Sequence, residues 1–310
     1  MDPAMKDAGE ATGAQEKDSI FEVSNLSPIE RLHNPSPEEM MEKLILPNRP
    51  AIVTGVVDSW PCHRKWNMEY IAQRVGRVKV QVPKEFGVYH FLSFRYIPVA
   101  EFVRSLSTTK DLYLSADPIM GERGEVREEC ELKGLAGDIP LPDFLPKELI
   151  VNCNLWIGPG GNRTLLHYDA WHSFLAVFCG EKRFAVYHPS QTRYLHQFGV
   201  FDIKGLRQGR TMDSRVNPVH VQKKYLRTVS KATGFEGVLK PGEALFIPAG
   251  SWHYVESHGL NIALNFFHYA RIGGLWDQSP LKDYAFKNEV MYPLLDKLSK
   301  VKHAVQFWKK

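Results

Sequence analysis

The hydrophobic pattern of the chain changes character near Leu149. Upstream of that point it is mixed. Ser36-Pro37-Glu38-Glu39 combines an N-cap serine, a proline at the first helical position and a capping-box glutamate. Met40, Met41, Leu44 and Ile45 then recur at helical spacing. Ala51–Thr54 reads as a short strand. Asn67 is placed to cap a second helix with Tyr70, Ile71 and Val75 on one face. Val78–Val82 alternates as a strand, Pro98 opens a helix carrying Phe102, Val103 and Leu106, and Asp111–Ser115 reads as another strand. Residues 116–142 are charged and rich in Gly and Pro, which predicts a long irregular connection.

From Leu149 onward, short apolar segments alternate with turn residues. Strands are predicted at 150–158, 164–169, 173–179, 183–188, 236–239, 244–247, 252–257 and 261–268. Gly158-Pro159-Gly160-Gly161, Gly180-Glu181, Pro241-Gly242, Pro248-Ala249-Gly250 and His258-Gly259 punctuate them. Many short strands with regular turns predict a barrel or sandwich. Residues 189–235 interrupt this run as a polar, basic insertion, with helix expected near Gln191–His196. After Gly274 the period turns helical. Tyr284, Val290, Met291, Leu294, Leu295 and Leu298 form an apolar stripe with lysines interspersed, suited to packing on the core or to a homodimer contact. The expected organisation is a disordered tail (1–19), an α/β region packing on the core (20–148), a β core (149–274) and a C-terminal helical region (275–310). The fold class is mainly β with flanking helices.

Composition narrows the setting. The 310 residues suffice for a large buried core, and a 44% hydrophobic fraction is ordinary for a soluble protein. A formal net charge of +4 permits an acidic partner without demanding one. Cys62, Cys130, Cys153 and Cys179 show no C-x-x-C spacing, which points to a reducing compartment. Residues 1–19 lack an apolar core of the signal-peptide type, and no stretch reaches the ~20 apolar residues that span a bilayer. A cytoplasmic or nuclear protein with no membrane partner is expected.

The chemistry centres on His167-Tyr168-Asp169. Alternate residues of a strand share a face, so His167 and Asp169 point together while Tyr168 points away. An H-x-D pair alone is a weak signal. Two His and one carboxylate, however, leave adjacent coordination positions open on non-haem Fe(II). Further on, L-K-P-G-E-A-L-F-I-P-A-G-S-W-H-Y-V reads as a strand, a Pro-x-Gly bend and a returning strand begun by His253. Such a hairpin can carry His253 beside the first pair.

Four stretches in order carry a resemblance: N-L-W-I-G-P-G-G-N-R-T-L-L-H-Y-D, F-C-G-E-K-R-F-A-V-Y-H-P, the hairpin above, and A-L-N-F-F, spanning Asn154 to Tyr269. Together they resemble the JmjC (cupin-like) 2-oxoglutarate oxygenases, closest to the small JmjC hydroxylases. The resemblance implies a double-stranded β-helix, or jelly roll, with Fe(II) on His167, Asp169 and His253 and 2-oxoglutarate as cosubstrate. It assigns Lys182 rather than the neighbouring Arg183 to the far carboxylate of that acid, with Thr164 and Tyr113 adding hydroxyls. Asn154 and Asn265 fall on strands expected inside the barrel. Ser173 stands where close relatives often have an asparagine. Trp171 and His172 follow the metal pair and are placed to line a substrate entrance, although apolar packing is the more ordinary role for Trp171. The implied activity is hydroxylation of a protein side chain. A tRNA-base hydroxylase, favoured by the basic insertion, and a methyl-lysine demethylase are the alternatives.

Overall fold

The computed structural model of the chain describes residues 18–83, 94–109, 112–199, 202, 205, 210–270, 280–286 and 288. Among them are β1 (Asn25–Pro28), β2 (Arg31–His33), β3 (Ala51–Thr54), β4 (Lys79–Pro83), β5 (Phe94–Pro98) and β6 (Leu114–Met120). The later strands are β7 (Ile150–Gly158), β8 (His167–Tyr168), β9 (His172–Tyr187), β10 (Thr233–Leu239), β11 (Ala244–Ile247) and β12 (Trp252–His268). β4 and β5 form a separate hairpin, and the other strands form one mixed sheet.

Two long strands organise that sheet. The predicted breaks at Gly180-Glu181 and His258-Gly259 are not breaks; β9 and β12 run through them and pair antiparallel along most of their length. Gly180 and Gly259 have φ of 70° and 69°, and the register slips between His258 and Ile262. A Cβ on Gly180 would sit 2.4 Å from the Leu260 carbonyl oxygen, so glycine is required where the strands bend. The bend passes both strands from one layer to another. Their first-layer segments, Lys182–Val186 and Trp252–His258, pair with each other between β10 and β8. The other segments, Ser173–Ala176 and Ile262–His268, lie between β11 with β3 on one side and β7 with β6 on the other. This is the expected jelly roll with flanking helices.

Strand alternation then separates core from cavity. Phe174, Ala176, Phe246, Leu264 and Phe266 face outward into an apolar cluster with Trp60, Leu44 and Phe102 from the helical flank. Trp252 and Tyr254 do the same on the other layer, against Tyr168 and Tyr187. Each such fully buried side chain contributes roughly 1.5–3 kcal/mol. The intervening residues, odd-numbered on β11, β12 and the start of β9 but even-numbered on β9 beyond the bend at Gly180, are thereby turned into the space between the layers.

The N-terminal region is more integrated than a segment packing on the core, because β1, β2, β3 and β6 belong to the same sheet. The capping box forms as read: Glu39 N donates to Ser36 Oγ (3.2 Å) and Ser36 N to Glu39 Oε2 (3.1 Å). The helix Pro37–Met40 continues as a wider turn, Met41–Ile45. Asn67 Oδ1 accepts from Tyr70 N at 2.9 Å. The predicted strand at 111–115 starts only at Leu114 and runs to Met120, into the stretch expected to be irregular. In the insertion, a short tight helix at Pro189–Tyr194 matches the expectation, whereas the helix Lys223–Val229 was not anticipated. Within the expected C-terminal helical region, Leu281–Phe286 is a short helix. Its stripe from Val290 to Leu298 and the residues of the tail before Asp18 lie outside the described residues, as do Lys204 and Arg207 of the insertion. No helix among the described residues is long and apolar enough to cross a membrane.

Candidate metal centre

A cavity of about 720 Å³ opens between the layers. His253, Val255 and Ser257 from β12, Asn265 and Phe267 from its far half, and Ser173 and Leu175 from β9 line it at a period of two, and Lys182 joins them because the bend at Gly180 shifts the phase of β9. His167 and His253 face each other because β8 pairs antiparallel with the start of β12, with His253 opposite His167. The Pro248-Ala249-Gly250 bend makes this possible, and Gly250 N donates to the Asp169 carbonyl at 2.8 Å.

One ligand atom from each of His167, Asp169 and His253 lies within 4.8 Å of the others. The imidazole centroids are 4.2 Å apart, and His253 Nε2 is 3.5 Å from Asp169 Oδ2. Both rings are oriented by their other nitrogen. His167 Nδ1 donates to the Leu165 carbonyl (2.8 Å) and His253 Nδ1 to the Ser251 carbonyl (3.0 Å). That fixes the tautomer and leaves both Nε2 lone pairs free to coordinate. Burial raises the Asp169 carboxyl, opposed by the adjacent His167. Burial first, and His167 second, push His253 well down, so it is neutral. Two imidazoles and a half-buried carboxylate converging on the cavity would suit a divalent cation.

At the other end stands Lys182, only 3% exposed. Its Nζ donates to Ser257 Oγ at 2.9 Å, and burial pulls its pKa down to about 7. Tyr113 also bonds the Ser257 hydroxyl, and burial raises its phenol. Thr164 Oγ1 accepts from Val255 N at 3.0 Å, which leaves its own hydrogen to donate. Arg183, on the opposite face of β9, pairs with Glu236 at 3.1 Å and stacks over Phe21.

Asn265 and Ser173 form a third polar group. Trp156 Nε1 donates to Asn265 Oδ1 (2.7 Å), and Asn265 Nδ2 to Ser173 Oγ (3.4 Å). Asn154 is not brought to the cavity. It sits opposite Asn265 on β7, but is buried and donates to Asn152 Oδ1 at 2.8 Å. His172 does not line an entrance either: it is fully buried and Nδ1 accepts from Ala249 N at 3.0 Å, with burial lowering its pKa to about 4. Trp171 packs against the cavity residue Phe267, ring centroids 5.7 Å apart.

The cavity residues without a sequence signal include Ser257, Asp117 and Asp213. Asp213 faces His167 across an isolated bridge and accepts from Arg210 Nε at 3.0 Å. The cysteines are all free, with Cys62, Cys130 and Cys153 buried.

A family model described as a cupin-like domain matches residues 37–273, more than half of the chain and all three metal-ligand candidates. The chain belongs to the cupin-like domain family. Among its cupin-like relatives, Lysine-specific demethylase 8 of Xenopus tropicalis is 32% identical over 249 residues, covering 77% of this chain and 52% of that protein. The tRNA wybutosine-synthesizing protein 5 of Homo sapiens is 27% identical over 258 residues, 77% of each. Jumonji C domain-containing protein 5 of Drosophila melanogaster is 24% identical over 259 residues, 80% of this chain and 61% of that protein. The chain thus spans little more than half the length of the Lysine-specific demethylase 8 relatives it matches. These matches bear out the resemblance to JmjC oxygenases, a cupin-like group that generally uses Fe(II) and 2-oxoglutarate.

Proposed function

We propose that this protein is an Fe(II)- and 2-oxoglutarate-dependent dioxygenase that hydroxylates a side chain of a partner protein in the cytoplasm or nucleus. The observation carrying this reading is one cavity holding both an inward-facing His-Asp-His cluster and a buried lysine that, among the described residues, donates to the Ser257 hydroxyl and meets no carboxylate. Bound iron would activate O2, one oxygen atom entering the substrate C–H bond and the other the succinate formed as 2-oxoglutarate loses CO2. His167, Asp169 and His253 hold the metal. Lys182 pairs with the far carboxylate of the acid, and that pairing restores its charge. Thr164 and Tyr113 donate hydroxyl hydrogens to the same group. Asn265, fixed by Trp156, and Ser173 orient the end near the metal. Leu175, Ile247, Val255 and Phe267 exclude water from the reacting groups.

A tRNA base is the second reading, favoured by the human wybutosine-synthesizing relative, which matches over most of its own length. Several insertion cations are already committed within the chain, however: Arg210 to Asp213 and Arg215 to Asp202. A polyanion would have to compete for them. The methyl-lysine demethylase reading rests on relatives' names alone. Incubation of proteome-derived peptides and of tRNA with the iron-loaded protein and 2-oxoglutarate separates the readings by mass. Addition of one oxygen to a peptide supports the proposal. Addition to tRNA alone, with tight tRNA binding that survives physiological salt, overturns it.

A further inference from the structure

Beyond the groups assigned above, the cavity wall carries, among the described residues, one carboxylate oxygen with no hydrogen-bond partner. Ser115, Ala116, Asp117 and Pro118 of β6 line the cavity. The strand is bulged there, its register with β7 slipping between Leu114 and Asp117. Ala116 takes a φ of 56°, a left-handed conformation that costs a non-glycine residue about 1 kcal/mol or more. Strain of this kind in a cavity wall re-aims a side chain. The residue so aimed is Asp117, whose Oδ2 is buried and has no hydrogen-bond partner among the described residues.

A charge count around the cavity sharpens this. Among the described residues, its charged lining residues besides the metal-binding Asp169 are Lys182, Asp213 and Asp117. Asp213 is neutralised by Arg210. Lys182 is complementary to the far carboxylate of the cosubstrate. A divalent metal, Asp169 and the near carboxylate of that acid balance among themselves. Asp117 is left over as the uncompensated negative charge. We infer that Asp117 is the specificity-determining residue of the cavity and receives a cationic side chain, an ammonium or guanidinium, from the substrate peptide. The assignment rests on the oxygenase reading for the chemistry that follows, though not for the binding itself. Glu131 adds to the negative field, and together with burial, the larger cause, it holds the Asp117 carboxyl up at about 7. An incoming cation would draw it to the ionised form, so binding strengthens as pH rises through 7. An anionic or phosphate-bearing group would meet repulsion at the same place.

The test uses four probes on the full chain loaded with Mn(II): the Nα-acetyl amides of arginine, lysine, citrulline and glutamate. Calorimetric titration is run with and without 2-oxoglutarate, on wild type, Asp117→Asn and Asp117→Glu. The arginine or the lysine probe should bind wild type at least tenfold more tightly than citrulline, the factor that a charge-assisted hydrogen bond in a partly buried site supplies. Whichever cation wins names the group. Asp117→Asn should reduce the preference to within twofold, and Asp117→Glu should keep it. Binding of both the arginine and the lysine probe by wild type no tighter than that of citrulline, no measurable binding of either cation at millimolar concentration, or a preference intact in Asp117→Asn would each overturn the inference. If Asp117→Asn does not fold, the wild-type ratio still decides. Binding of 2-oxoglutarate, followed separately, reads the oxygenase proposal: its absence sinks that proposal, while the probe ratio alone reads Asp117.

Discussion

Replacing Lys182 by Met should make the ligand-free protein more stable and at the same time unable to hold 2-oxoglutarate. Burial lowers the ammonium from its ordinary 10.5 to about 7. That is a differential cost of roughly 5 kcal/mol at most, at 1.36 kcal/mol per pH unit. Methionine matches the stem and removes the cost, giving up a hydrogen bond to Ser257 worth about 1 kcal/mol. The sign of the pH dependence is fixed. Below pH 7 both folded and unfolded wild type carry the charged lysine, and the folded state bears the whole cost. Between 7 and 10.5 the unfolded state keeps its proton while the folded state does not, so wild-type stability rises with pH and the variant's advantage shrinks. Urea unfolding at pH 6.5 and 9.5 should show that advantage falling by about 3 kcal/mol. Isothermal titration with 2-oxoglutarate should show binding weakened at least a hundredfold in the variant, because the acid's carboxylate then lacks its ion-pair partner. A variant less stable than wild type at pH 6.5, or a pH-independent difference, would refute the buried-charge argument. Undiminished 2-oxoglutarate affinity would move the anchoring role elsewhere.

Ser257→Ala removes the hydroxyl that links Lys182 and Tyr113. Affinity for 2-oxoglutarate should fall roughly tenfold, with the metal affinity unchanged, as read by parallel titrations. Gly180→Ala forces a Cβ to within 2.4 Å of the Leu260 carbonyl oxygen at a left-handed position. Chemical unfolding should show a loss of at least about 2 kcal/mol, and a neutral result would contradict the strand-crossing role given to Gly180.

The candidate metal cluster was legible because strand period and hairpin chemistry are local. His167 and Asp169 share a face by alternation, and the Pro-x-Gly bend returns His253 to them. The continuity of β9 and β12 was not legible: Gly180 and Gly259 look like turn residues in sequence, whereas the cross-strand partners that hold the chain extended are far away. Asp117-Pro118 likewise reads as loop, yet an edge strand such as β6 tolerates proline and a bulge. Alternation placed Asn154 on the right face but says nothing of what covers it, and Asn152 takes its amide. Ser257, Asp117 and Asp213 carry no spacing signature, so only the folded cavity brings them together.

The central claim is that one cavity couples a metal held by His167, Asp169 and His253 to 2-oxoglutarate. The most direct measurement is conversion of carbon-13-labelled 2-oxoglutarate to succinate, followed by NMR, for the Fe(II)-loaded protein presented with a peptide library. Wild type should release succinate in step with oxygen added to peptide. Asp169→Ala should release none, because an incomplete ligand set does not hold the iron. Near-normal succinate release by Asp169→Ala, or none from the iron-loaded wild type with any peptide or tRNA, would contradict the account.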